Sequence, residues 1–153
     1  MKNSQQVRRT LTSLGFVAAL SACGGSDAPA QAVATPLSCG DLAGMAIPAS
    51  VIGLPTNGGA VTSAAIVAAS GNGAAALPEY CAVAGRISPV DPAAPPILFK
   101  VALPTNWNAK TMMFGGGGFN GSIPDVTGNV PAGPVGQLKP LGRGYATFAS
   151  DSG

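Results

Sequence analysis

Residues Met113–Gly121 read MFGGGGFNG, four consecutive glycines between a short apolar run and Phe119-Asn120. A glycine run at the end of a strand permits positive φ and close approach of backbone to another group. It also leaves amide N–H groups aimed at open space, a nest suited to an anion, either a bound phosphate or a transient oxyanion. Gly116, Gly118 and Gly121 satisfy the dinucleotide pattern G-x-G-x-x-G, but that motif requires a helix to start at once. Here Pro124, Gly128, Pro131 and Pro134 follow, and no acidic residue stands on a second strand about 20 residues on. The nucleotide reading therefore fails. Two others stand: a plain surface loop of a β module, or one half of an oxyanion hole whose second N–H comes from a nucleophile elbow.

The remaining chemistry-bearing residues are sparse. The 153 residues contain no histidine and no G-x-S-x-G, so they cannot form a Ser-His-Asp triad among themselves. Ser152 sits beside Asp151 without an elbow or a base. Three cysteines occur, at 23, 39 and 81. In an exported chain the pair Cys39 and Cys81 is most simply a disulfide, closing a loop worth roughly 4 kcal/mol in the chain-entropy model. The alternative, a pair of metal ligands, lacks both histidine and C-x-x-C spacing.

The elements that position these residues read as strands. Ala60–Ser70 is small and β-branched between glycines. Tyr80–Ser88 alternates Cys81, Val83, Gly85 and Ile87 on one face and ends at Pro89. Ile97–Leu103 is the clearest period-two run, with Ile97, Phe99, Val101 and Leu103 on one face and Lys100 on the other. PTNWN then turns the chain, with Trp107 expected at the edge of the core. KTMMF reads as a buried central strand that stops at Gly115, and Gly144–Asp151 as another buried strand. Between them Gly121–Pro134 has too many breakers for a long element, and Val135–Gly144 has room for one helical turn.

Composition agrees with a turn-rich β architecture. Glycine (22) and proline (14) approach a quarter of the chain, and charged residues are 9 %, against roughly 25 % in an average domain. Lys2, Arg8 and Arg9 followed by apolar Leu11–Leu20 make a signal peptide, too short for the roughly 20 residues of a span. Leu20–Cys23 resembles the lipobox of bacterial lipoproteins, with Cys23 the lipidated residue. The expected organisation is a lipoprotein signal peptide over 1–22, a flexible tether over 23–37 and the folded part over 38–153, exported and membrane-anchored in the periplasm or at the cell surface. Removing Lys2, Arg8 and Arg9 from the eight basic residues leaves five against six acidic, a net charge of −1. No basic patch remains, so nucleic acid is not a partner.

SCGDLAG, ALPEYCAVAGRISP, ILFKVALPTNWNAK, MMFGGGGFNGSI and GRGYATFASDSG come in an order that resembles the tannase and feruloyl esterase family of α/β-hydrolases, over Cys39–Gly153. The resemblance implies a Cys39–Cys81 disulfide, an oxyanion N–H from Gly118 with Gly117 setting its geometry, and Phe119 and Asn120 near an acyl pocket. It implies a serine acyl-enzyme mechanism on aromatic-acid esters of the feruloyl or galloyl type. It implies no cofactor beyond a calcium ion in a lid domain, whose residues this sequence lacks. The expected fold is α/β: the β-rich N-terminal part of an α/β-hydrolase, before the nucleophile elbow and lid. The chain is then expected to be an inactive N-terminal fragment of an ester hydrolase. The alternative is a complete small cell-surface lipoprotein with a structural or binding role.

Overall fold

A computed structural model describes residues 36–118, 121–130, 133–134 and 136–152. The signal segment, Cys23, Phe119 and Asn120 lie outside the described residues. Six strands form one mixed sheet: β1 (Ala46–Ile47), β2 (Gly59–Val67), β3 (Tyr80–Ile87), β4 (Ile97–Pro104), β5 (Thr111–Phe114) and β6 (Ala146–Ser150). Their spatial order is β1-β2-β3-β4-β6-β5. Every neighbouring pair is antiparallel except β5 and β6, which run parallel. The only helical pieces among the described residues are three-residue 3-10 turns, so the fold is β-rich with a mixed sheet.

Strand alternation creates two different faces. One face collects Ala102, Phe114 and Ala149 from the sheet, covered by Val126 and Leu141 from the β5–β6 connection. The other collects Val61, Cys81 and Val83, covered by Cys39 and Leu42. Cys39 and Cys81 are joined in a disulfide with a Cα separation of 5.7 Å. That bond fastens the strand-poor N-terminal segment to the start of β3, as the sequence implied.

The β3–β4 hairpin keeps a continuous register from Tyr80↔Pro104 to Ile87↔Ile97. Gly85 pairs with Phe99, and a Cβ at Gly85 would fall inside the Phe99 ring. The glycine thus supplies the space in which the ring lies across the strand, a cross-strand aromatic contact.

Three expectations need correction. The strand KTMMF is not central: β5 lies at the edge of the described sheet, with Met113 58 % exposed, and β6 is inserted between it and β4. Trp107 does not cap the core but is 57 % exposed, its Nε1–H donating to the Lys110 carbonyl at 2.8 Å. In β4 the buried end belongs to Ala102 and Pro104, while Leu103 is exposed. The period was right, but the β5–β6 connection packs against the face that carries the small residues.

Candidate active site

The glycine run leaves the carboxyl end of β5 directly after Phe114, which pairs with Ala149 of β6. Asp151 and Ser152 leave the carboxyl end of β6 beside it. Crevices at the carboxyl ends of parallel strands are where open α/β sheets bind ligands. The one parallel pair of this sheet therefore brings the glycines and Asp151-Ser152 to a common edge.

The loop closes on itself through the backbone. Gly121 donates its N–H to the Asp151 carbonyl at 3.0 Å, while Asp151 donates to Leu98 O at 3.1 Å and its Oδ1 accepts from Leu98 N at 3.0 Å. Both ends of the glycine stretch are thus tied to the sheet, one through β5 and the other through the end of β6. Sequence reasoning gave Asp151 no part in the loop. Its bond to Gly121 is made by a backbone carbonyl, which leaves no residue-type signal.

Within the run Gly118 takes φ +64°. That left-handed conformation costs a side chain roughly 1–2 kcal/mol. Around Gly115, Gly117 and Gly118 a Cβ would meet nothing within 4 Å. The space above these backbones is open, as an approaching ligand atom requires. Ser152 also sits at positive φ, +66°.

Beneath the loop the connection folds back over the sheet as a strap, 122–130. Thr147, fully buried on β6, donates its Oγ1–H to the Val126 carbonyl at 2.6 Å, pinning the strap where no water reaches. Asp125 Oδ1 accepts from both Thr127 N and Thr127 Oγ1 at 2.8 Å. Those bonds from Thr127, aided by the more distant charges of Lys139 and Lys100, hold the Asp125 carboxyl below its ordinary value. Gly115, Asp125 and Val130 line a cavity of about 360 Å³ between the loop and the strap.

Among the described residues no group of three or more His, Cys, Asp or Glu side chains could hold a metal ion. Gly117 and Gly118 are brought to the site edge, whereas the disulfide pair lies on the opposite face of β3 from Tyr80 and serves structure.

Residues 81–153 match the family described as tannase and feruloyl esterase. An uncharacterized esterase of Agrobacterium fabrum is 48 % identical over 115 residues, which is 75 % of this chain and 21 % of that protein. The mono(2-hydroxyethyl) terephthalate hydrolase of Piscinibacter sakaiensis is 40 % identical over 83 residues, 52 % of this chain and 13 % of that enzyme. The chain thus spans about a fifth or less of the length of the curated relatives it matches.

Proposed function

We propose that this chain supplies the oxyanion-binding part of a serine carboxylic ester hydrolase with the α/β-hydrolase fold. The observation that carries the reading is the glycine run at the carboxyl end of the parallel pair, with Gly118 left-handed and unobstructed. A serine nucleophile adds to the ester carbonyl, and its proton passes to a histidine base. Charge develops on the carbonyl oxygen, and the Gly118 N–H donates to it in the transition state, Gly117 holding the peptide in place. Collapse expels the alcohol, and water then releases the acid from the acyl-enzyme.

Serine, base and acid of the triad come from outside these 153 residues, which contain no histidine. By itself the chain is therefore inactive in this reading. The substrates are esters of aromatic acids, of the feruloyl or galloyl kind, a preference supported by the match to the tannase and feruloyl esterase family. In the same reading Cys23 carries a lipid anchor that holds the protein to the membrane outside the cytoplasm. An unmodified mature N-terminus in a mass spectrum of the exported protein would overturn that anchor.

The test of the activity is a turnover assay of both the 153-residue protein and the product of the complete reading frame on methyl ferulate, methyl gallate and ethyl butyrate. The expected result is no turnover by the former, and faster hydrolysis of the two aromatic esters by the latter. Equal rates on all three would remove the aromatic preference, and turnover by the 153-residue protein would refute the division of labour.

A further inference from the structure

A second cavity, of about 450 Å³, lies on the far side of Pro124-Asp125 from the glycine loop, between the strap and the faces of β3 and β4. Its floor is built from small side chains. Ala82 pairs with Ala102 and Ala84 with Lys100 across β3 and β4, so these four residues share one face. On β2 the next residue on that floor is Ser63, opposite Ala84. Ala102 is fully buried under Val126 of the strap, so the open part of the floor is Ala82, Ala84 and Ser63, with Lys100 rising beside Ala84. The result is a flat slot with an apolar base.

Three groups give the slot chemical direction. Tyr80 adds an aromatic wall, and Lys100 and Asp125, both exposed, stand at the rim with opposite charge. Asp125 Oδ1 is committed to Thr127. Its Oδ2, for which no hydrogen bond is formed among the described residues, still has the lone pairs of an ionised carboxylate, which only accepts. Lys100 is an ammonium that only donates. A ligand satisfying both rim groups must carry an anion at one end and a donor at the other, with a flat apolar body between.

We propose that this slot is a binding site for a small planar carboxylate bearing a hydroxyl or amino donor on the opposite edge of its ring. The carboxylate meets Lys100, the ring lies on Ala82 and Ala84 beside Tyr80, and the donor reaches Asp125. The volume lies within the roughly 300–1,000 Å³ of ordinary small-molecule sites. The assignment rests on the slot alone and is independent of the ester hydrolase reading.

The test is an NMR titration of the ¹⁵N-labelled full chain with 4-hydroxybenzoate, with benzoate lacking the donor and 4-hydroxybenzyl alcohol lacking the anion. Saturable shifts are expected at the amides of Ala82, Ala84, Lys100 and Thr127, tightest with 4-hydroxybenzoate. Lys100→Met should weaken 4-hydroxybenzoate about tenfold, the scale of a lost charge-assisted hydrogen bond, and leave 4-hydroxybenzyl alcohol unchanged. Ala84→Leu should fill the floor and abolish all three. Because Ala84→Leu also perturbs the sheet, the exposed Lys100→Met variant decides. Unchanged 4-hydroxybenzoate binding by Lys100→Met would overturn the proposal. So would shifts confined to the glycine loop, or no saturable shift in the unsubstituted protein.

Discussion

The two ends of the parallel pair β5 and β6 are built in opposite ways. At the amino end side chains hold the backbone. Asn108 donates its N–H to Gly144 O at 2.9 Å and its side-chain amide to Arg143 O at 2.8 Å, and its Oδ1 accepts from Lys110 N at 3.0 Å. Trp107 also donates to Lys110 O, and Lys110 and Arg143 both approach the Tyr145 ring, at 5.9 and 5.1 Å. At the carboxyl end the chain places four glycines and ties the loop back with one backbone hydrogen bond, Gly121 to Asp151. The first end is held by several polar side chains, the second by Asp151, whose carboxylate accepts from Leu98 N, and by glycines that carry no side chain. Geometry that must only persist is locked with polar side chains. In the proposed reading the glycine end is the one that admits another molecule.

The sharpest way to break this comparison is Gly118→Pro. Proline has no N–H, so in the catalytically complete protein kcat should fall about 10²–10³-fold, roughly 3–4 kcal/mol in the barrier, for loss of one oxyanion donor. KM should move much less, whereas the melting temperature should also fall, because proline locks φ at roughly −65° and cannot hold the +64° of Gly118. A normal kcat would turn the bare end into an ordinary loop. Asn108→Ala attacks the other end. It removes the two side-chain hydrogen bonds, to Arg143 O and from Lys110 N, keeps the backbone bond to Gly144, and should lower stability by about 2 kcal/mol in a denaturant titration while leaving kcat unchanged.

Replacing glycine by alanine compares the ends directly. Gly144 and Gly118 both have positive φ, +83° and +64°. A Cβ on Gly144 would come within 2.9 Å of Asn106 O, whereas one on Gly118 meets nothing. Gly144→Ala should therefore cost more than the roughly 1–2 kcal/mol of left-handed strain, and Gly118→Ala about that strain alone. Equal melting shifts would contradict the contrast. Conversely, Ala109 already holds φ +63° in the locked turn. Ala109→Gly should raise stability by up to about 1 kcal/mol, the relieved strain being partly offset by the greater entropy of the unfolded chain.

The smallest effect is acid sensitivity. Asp125 is held below its ordinary value first by its hydrogen bonds from Thr127. Asp41 is lowered likewise by Ser38, whose Oγ and N both donate to its Oδ2. A carboxylate lowered in the folded state contributes stability above its unfolded pKa and loses it as pH falls through the folded value. Stability should therefore decline gently below about pH 4. Thr127→Val should flatten the Asp125 part of that slope, read by melting temperature against pH.

Much of this was legible in the sequence because it rests on local patterns. The strands at Tyr80 and Ile97 announced themselves by period two, Gly144–Asp151 read as a further buried strand, and the glycines stood out by composition. The order of strands did not, since the parallel partner of β5 lies more than thirty residues downstream, past the breaker-rich strap. That insertion explains why KTMMF, apolar enough for a centre, lies at the edge of the described sheet. Trp107 misled for a related reason. An indole reads as core by area, yet here its N–H closes a turn, a use fixed by Lys110 only three residues on. The anchoring carbonyl of Asp151 and the alanine floor of the slot are invisible to any reading by residue type, because small or backbone groups become a site only when the sheet assembles them.

The Cys39–Cys81 bond also determines how the molecule would answer a mechanical load. A pull transmitted from before residue 39 reaches β3 through covalent bonds, because the crosslink bridges a separation of 42 residues. Strands β1 and β2 fall inside the bridged stretch and bear none of that tension. The load instead enters the β3–β4 hairpin, whose eight paired positions share it. Cutting the bond would release up to about 140–150 Å of slack at 3.3–3.6 Å per residue. That step length would distinguish the crosslinked from the reduced molecule in a single-molecule stretching trace.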